Sequence, residues 1–566
     1  MPASPVNEKS VGDLRRTELL STLARPPQVS FSCAGRLTAL ASASRGLPDR
    51  CITRFLAETL AAVTGESVLL LHIVPTSAGA PTKVWSPLHS LPNNGFAFAD
   101  QLQHLAGFDQ LTLHVTNHLA ERSFLTAFLG HCMRHFGHVL VHIDTDVSRL
   151  VLAEAAARAT HTFVLARQTV ASLFEFNQLA RELATARTGE ATDLKLVLCL
   201  DHGEVPQPTE DFFKQVGQRV HLNLRETPAT MGDLQAHCGG PWPAAFKFDL
   251  RRLAREIGRC RLGLALSSGG AKGLAHIGVL QVLEENGIEV DLVAGTSMGS
   301  YIGALWAFGH DGQFIEHKAR EIEGKWGLLK LIDPAFPPRR GFIYGHAIRE
   351  RLERSIGDVR FEQLARPLCV VTTRFDTLER VVFDTGEVSP AVLASCAIPS
   401  VFVPVRLDGE TYIDGGVSDP LPVDVLREAG VERVIAVNTI PTPAFLRGAQ
   451  EHEREQVDLK HCRFNFLRLL NQQVNYFAHG NILDVTQRAV IGGQIRAAED
   501  ACRQADVVLR PLACDSRWHD FSNPGKYISL GRHVAEENLS ALKQLVNRKE
   551  LTHEHQTPQH ELAAAA

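Results

Sequence analysis

From residue 34 to about residue 230, short apolar runs alternate with stretches of helical periodicity, and few architectures accommodate that alternation. The runs Leu37–Ala41, Ser67–Val74, Leu111–Thr116, His138–Ile143, Thr162–Ala166, Lys195–Leu200 and Arg219–Leu224 have the length and branching of buried strands. Helical spacing of apolar residues marks Thr53–Val63, Arg122–Arg134, Leu150–Arg158 and Val170–Ala186. Strands joined through helices pair in parallel, so the pattern predicts an α/β layer with a mostly parallel sheet. A second α/β unit starts at Leu262. At 566 residues the chain is too long for one ordinary core. Residues 1–30 are expected to form a disordered tail or linker, 31–240 a first α/β domain, and 241–261 a linker. Residues 262–545 are expected to form a second domain and 546–566 a disordered tail. The turn-rich Cys238–Pro243 marks the boundary, and the basic Arg251–Arg261 reads as a connecting helix.

Net charge is −5, which gives no reason to expect a nucleic-acid partner. The eleven cysteines are scattered without a C-x-x-C pair, which argues against zinc and redox motifs and for a reducing compartment. Met1–Ser10 lacks the apolar stretch of a signal peptide, and no apolar run reaches the length of a spanning helix. The expected location is therefore cytoplasmic, with any membrane contact peripheral and from the inner face.

After Leu37–Ala41 comes Ser44-Arg-Gly-Leu-Pro-Asp-Arg-Cys-Ile-Thr53, then a helix, and the run His138–Ile143 ends in Asp144. This order resembles the MinD/ParA-like branch of P-loop NTPases. A phosphate loop needs several glycines, a lysine and a Ser/Thr. Here Gly46 stands alone, Arg50 falls near the lysine position, Cys51 replaces the hydroxyl, and Asp49 would repel a phosphate. The expectation is a degenerate, non-hydrolysing domain used for regulation or for binding a protein partner. An unrelated doubly wound domain would show the same pattern.

Three further motifs follow in fixed order. Leu264-Ala-Leu-Ser-Ser-Gly-Gly-Ala-Lys-Gly-Leu274 takes a strand through a glycine-rich turn into a helix. Amides at such a turn can stabilise an oxyanion, although a tight strand–helix turn needs the same residues. Gly295-Thr-Ser-Met-Gly299 follows the apolar Val290–Ala294 and precedes the helical Ser300–Phe308. That is the setting the G-x-S-x-G nucleophile motif requires, with Gly295, Thr296, Met298 and Gly299 around Ser297. Tyr412-Ile-Asp-Gly-Gly-Val417 puts Asp414 at a strand end before Gly415 and Gly416; alone, it would read as an ordinary turn.

Together these residues resemble the patatin-like phospholipase family, over roughly Leu262 to Leu509. Ala394–Pro404 resembles the segment before that family's catalytic Asp. Ala505–Pro511 and Trp518–Phe521 resemble its bacterial and neuropathy-target-esterase-like branch. The resemblance implies a patatin-like α/β/α hydrolase fold and a serine ester hydrolase with a Ser297–Asp414 dyad. It implies an oxyanion hole from Gly269, Gly270 and Ala271, support from Lys272 and Gly273, and no metal or cofactor. The family's G-x-G-x-x-G begins here with Ser268 in place of glycine. His276 is expected to pack beside the loop. An α/β-hydrolase triad would need a histidine downstream, and His479, His519 and His533 are the candidates.

A lipid acyl ester is the implied substrate. Lys325–Ile332, Phe336–Ile343 and Arg463–Leu470 mix basic and bulky apolar residues, as a lid or bilayer-facing segment would, and as ordinary helix faces would. A non-catalytic partner-binding protein and an acyltransferase using the same acyl-enzyme are the competing functions.

Overall fold

The structure is a computed structural model. It describes residues 35–76, 98–105, 107–115, 121–186, 194–207, 219–227, 242–324, 332–443, 482–512 and 520–546, with Phe445 and a few residues between 212 and 217. The expected tails lie outside the described residues except for Val546, as do most of Cys238–Pro243, nearly all of Lys325–Ile332, and Arg463–Leu470.

The chain builds two parallel-rich sheets. The first comprises β1 (Arg36–Ser42), β2 (Val68–Pro75), β3 (Gln103–Leu105), β4 (Phe108–Val115), β5 (His138–Ile143), β6 (His161–Arg167), β7 (Leu194–Cys199) and β8 (Val220–Leu224). Their order is β3-β4-β2-β5-β1-β6-β7-β8. Only β3, which the sequence pattern missed, pairs antiparallel. Alternation along β1 explains its two-sided burial. Leu37, Ala39 and Ala41 join Phe128 and Phe176 in one layer. Leu40 joins Leu56, Leu60 and Phe246 in the other.

The segment expected as a linker is largely the helix Ala244–Ile257. Its apolar side, Phe246, Leu250, Leu253, Ala254 and Ile257, completes that second layer. Its basic side reaches the second sheet. Arg255 holds Asp291 at 2.9 Å, and Arg251 pairs with Glu289. One helix therefore serves both sheets, with hydrophobic burial on one side and ion pairs on the other.

The second sheet comprises β9 (Leu262–Leu266), β10 (Leu292–Thr296), β11 (Leu368–Arg374), β12 (Arg380–Phe383), β13 (Val405–Leu407), β14 (Glu410–Asp414), β15 (Arg433–Val437) and β16 (Val507–Leu509). The path runs β13-β14-β11-β10-β9-β15-β16, with β12 beside β11. Strands β9, β10, β11, β15 and β16 are parallel, whereas β12, β13 and β14 enter antiparallel. One edge of β11 takes β12; the other is shared end to end by β10 and β14. Thr296 faces Val371 on that edge, and Asp414 faces the next residue, Thr372. The chain's two remote strand ends thus meet head on. The crevice at the C-terminal ends of β9 and β10 is where ligands bind in open α/β sheets.

Candidate active site

Strand β10 ends at Thr296 and the helix Met298–Phe308 begins at once, so Ser297 alone makes the turn. Its φ of 54° and ψ of −121° are conformations that L side chains avoid, at a cost on the order of 1–3 kcal/mol. Neighbouring hydrogen bonds impose that geometry. The Ser297 N–H donates to Ser395 Oγ at 2.8 Å, and Ser395 donates onward to the Val371 carbonyl at 2.6 Å. The Ser297 carbonyl accepts from the Ser300 and Tyr301 amides. The Thr296 hydroxyl donates to the Asp419 carbonyl at 2.9 Å.

The elbow's glycines are needed for close approach. A Cβ on Gly299 would stand 2.2 Å from the Leu266 carbonyl oxygen, and one on Gly295 2.6 Å from that of Gly299. Both obstacles are backbone. Gly299→Ala is expected to destabilise the protein by about 1–3 kcal/mol, read as a drop in melting temperature. An unchanged melting temperature would contradict this account of the turn.

Asp414 closes β14 at 4% exposure, beside Ser297 at 5%. Ser297 Oγ donates to Asp414 Oδ2 at 2.6 Å. The Gly416 N–H donates to Oδ1 at 2.7 Å, from the 3₁₀ turn Gly415–Val417. Burial pushes the Asp414 carboxyl up to about 6, against the opposing pull of its bonds to Ser297 and Gly416. Three polar atoms converge on the Cα of Gly416. A Cβ there would lie 2.6 Å from Gln494 Nε2, 3.0 Å from Asp414 Oδ1 and 3.1 Å from Ser268 Oγ.

The glycine-rich loop runs from β9 into the 3₁₀ turn Gly270–Leu274 and the helix Ala275–Glu285. The amides of Gly269, Gly270 and Ala271 carry no hydrogen bond among the described residues. The Ser268 N–H is committed to the Pro420 carbonyl at 2.8 Å, so the departure from the family pattern falls on an amide used for anchoring. Among the described residues the buried Ser268 hydroxyl has no hydrogen-bond partner. Lys272 is half-buried, and its amide closes the turn onto the Gly269 carbonyl. Gly273 lies against Met298, where a Cβ would come within 2.5 Å of Met298 Cγ, which sets the loop on the elbow. His276 is wholly buried. Its Nε2 bonds the Ser267 carbonyl at 2.9 Å, and burial lowers it to about 4, so it is a neutral brace for the loop.

A cavity of about 420 Å³ opens at Ser297 and Gly270. Met298, Tyr301, Ile302 and Leu305 line it along one helix face, which extends over about 10 Å at 1.5 Å per residue. The other walls are mostly apolar, with Lys318 and Arg351 as the charged lining residues.

Residues 264–427 match the family model described as patatin-like phospholipase. The chain carries a patatin-like phospholipase domain. An uncharacterised NTE family protein of Mycobacterium tuberculosis is 36% identical over 198 residues, covering 35% of this chain and 52% of that one. Lysophospholipase NTE1 of Saccharomyces cerevisiae is 28% identical over 282 residues, 49% of this chain and 16% of its own length. The chain thus spans about half the length of the mycobacterial relative and a smaller share of the fungal one. Among solved structures, the MinD cell division protein of Aquifex aeolicus aligns with 39% of this chain and 96% of its own, at 13% identity and a TM-score of 0.30. VipD from Legionella pneumophila aligns with 50% of this chain and 67% of its own, at 15% identity and a TM-score of 0.28. Scores that low support no argument about either unit.

Several residues at the patatin-like site were not singled out from the sequence: Ser395 beneath the elbow, inside the family-like stretch Ala394–Pro404, Gln494 over Gly416, and Thr439, whose hydroxyl bonds the Ser268 carbonyl at 3.0 Å. Of the triad candidates, His533 pairs with Glu537 on an exposed helix face. His479 and His519 lie outside the described residues. In the first sheet, Asp49 opens the helix Asp49–Thr64 and lies 3.3 Å from His142, while Arg50 pairs with Asp144. Burial works to raise Asp144, but Arg50 overrides it and holds the carboxyl below its usual value. Among the described residues no group of three or more His, Cys, Asp or Glu is placed to hold a metal ion. No helix among them is long and apolar enough to cross a membrane.

Proposed function

We propose that the patatin-like domain hydrolyses fatty-acyl esters of phospholipids or lysophospholipids, with Ser297 as nucleophile and Asp414 as base. The observation that carries this reading is the buried 2.6 Å Ser297–Asp414 hydrogen bond beside an apolar cavity and loop amides that have no partner among the described residues. Ser297 Oγ adds to the ester carbonyl as its proton passes to Asp414 Oδ2. A free serine hydroxyl is too weak an acid for a carboxylate to ionise beforehand, so the transfer accompanies formation of the tetrahedral oxyanion. The Gly269, Gly270 and Ala271 amides offset the new charge, each such donor contributing about 2.7–4 kcal/mol. Asp414 returns the proton to the leaving alcohol. Water then adds to the acyl-enzyme, giving a proton to Asp414, which passes it to Ser297 Oγ as the bond to the acyl group breaks and the fatty acid leaves. The NTE1 relatives are named as lysophospholipases, which supports a lipid ester as substrate.

Incubation with lysophosphatidylcholine is expected to release fatty acid and glycerophosphocholine in equal amounts. Transfer of the acyl group to an added alcohol, with no free fatty acid, would indicate an acyltransferase instead.

The base works only when ionised. For a neutral ester, kcat/KM is expected to fall as pH drops through about 6 and to level off above it. A profile flat across that pH would contradict Asp414 as base.

Residues 31–240 are read as a non-hydrolysing module that regulates the domain or binds a protein, and residues 262–545 as the catalytic domain. Asp49 already supplies the anion at the helix N-terminus, and Asp144 neutralises Arg50. ATP with magnesium is expected to leave the melting temperature unchanged; a rise would overturn this part of the reading. Contact with a membrane would be peripheral, from one side.

A further inference from the structure

A short finger stands on the wall of the active-site cavity. Its root is fixed. Pro334 and Ile343 form an antiparallel bridge, and the Ala335 amide donates to the Phe342 carbonyl at 2.8 Å. The Phe342 and Ile343 amides both donate to the Val401 carbonyl, at 2.8 and 3.1 Å. The Asp333 carboxylate accepts from the Gly345 and His346 amides. Ile343, Val401 and Phe402, which form this root, also line the cavity that contains Ser297.

The tip points away from that scaffold. Phe336, Pro337, Pro338, Arg339 and Arg340 are all exposed, and Phe336 reaches 89%. No acidic residue occurs between 334 and 343. Among the described residues neither Arg339 nor Arg340 has an ion-pair partner. An exposed aromatic ring beside two cations is the pairing that interfacial membrane anchors use. Two adjacent guanidiniums favour one rich in phosphate or carboxylate.

We propose that this finger docks the protein on an anionic lipid bilayer, with the Phe336 ring in the interfacial region and Arg339 and Arg340 on lipid phosphates. The cavity wall built by Ile343, Val401 and Phe402 is then held next to the surface that contains its substrate. A protein partner fits less well. A stable protein interface takes about 800 Å² from each side, far more than a five-residue tip offers, whereas a bilayer needs only a ring and two charges. The proposal deepens the lipid-esterase reading, but docking is measurable without catalysis.

The test uses full-length Ser297→Ala protein, which turns over no lipid, in co-sedimentation with vesicles. Binding is expected to vesicles of equimolar phosphatidylcholine and phosphatidylserine, weakening with salt, and not to pure phosphatidylcholine. Added to that background, Arg339→Ala and Arg340→Ala are each expected to weaken binding roughly fivefold, and Phe336→Ser roughly tenfold or more. In the Ser297 protein the same three changes are expected to leave both the melting temperature and short-chain p-nitrophenyl ester hydrolysis unchanged. Equal vesicle binding by all variants would overturn the proposal, as would equal binding to the uncharged vesicles. Self-association through Phe336 without vesicle binding would also overturn it. If no form hydrolyses any ester, the esterase reading fails while the vesicle result still decides the docking.

Discussion

The Asp414→Asn protein is expected to lose activity on the order of 10⁴-fold and yet to melt at a higher temperature than the parent. Both effects come from burial. Asn keeps the shape and can still accept from the Gly416 amide, so the site stays assembled, but it cannot take the Ser297 proton. The stability effect follows from linkage. Burial raises the Asp414 carboxyl from 3.8 to about 6, so the folded protein holds that proton more tightly than the unfolded chain. For an acid raised in this way, the ionised form is destabilised when folded, by about 3 kcal/mol. That cost is absent below the unfolded value, grows between the two values, and is fully present above pH 6. The stabilisation by Asn is therefore expected at neutral pH and should vanish near pH 4. Asp419 is raised to about 6 as well, by burial and by Asp424, and both proteins retain its share of the pH dependence. Melts of the two proteins across this range, with ester hydrolysis on the same samples, check both halves. An Asn protein that retains activity would remove Asp414 from the chemistry.

Ser297→Gly is expected to be inactive, with a loss on the order of 10⁶-fold, and more stable than Ser297→Ala by roughly 1 kcal/mol or more. Either change deletes the nucleophile. Only glycine also relieves the backbone, because φ 54° with ψ −121° is unfavourable for any residue with a Cβ. The comparison separates strain held at the elbow from the chemistry performed there. Equal melting temperatures for the Gly and Ala proteins would mean that the turn holds no strain.

The elbow was legible in the sequence because strand, turn and helix are contiguous, and the glycines on either side of Ser297 have a physical reason to be there. Asp414 was not legible from its own surroundings: Asp-Gly usually makes a turn, and here it does so while also facing Ser297. What brings it in is the antiparallel entry of β14 onto the edge of β11 that β10 vacates at Thr296. Only the family resemblance pointed to that long-range pairing. Ser395 lay inside the family-like Ala394–Pro404, but nothing marked it within that stretch, and Gln494 gave no signal, because a buried Ser and a helix Gln have no distinguishing pattern. The helix Ala244–Ile257 did carry one, since Phe246, Leu250, Leu253, Ala254 and Ile257 repeat at helical spacing. The basic residues on its other side, which pair with Glu289 and Asp291, gave it the look of a solvated connector.

The central claim is that Ser297 is a nucleophile activated by Asp414. The most direct measurement is labelling of the full-length protein with a fluorophosphonate, followed by mass spectrometry of the modified peptide. The account predicts one equivalent of label, on Ser297, and greatly slowed labelling in the Asp414→Asn protein. Label on another serine, or labelling at the parent rate without the Asp414 carboxylate, would contradict it.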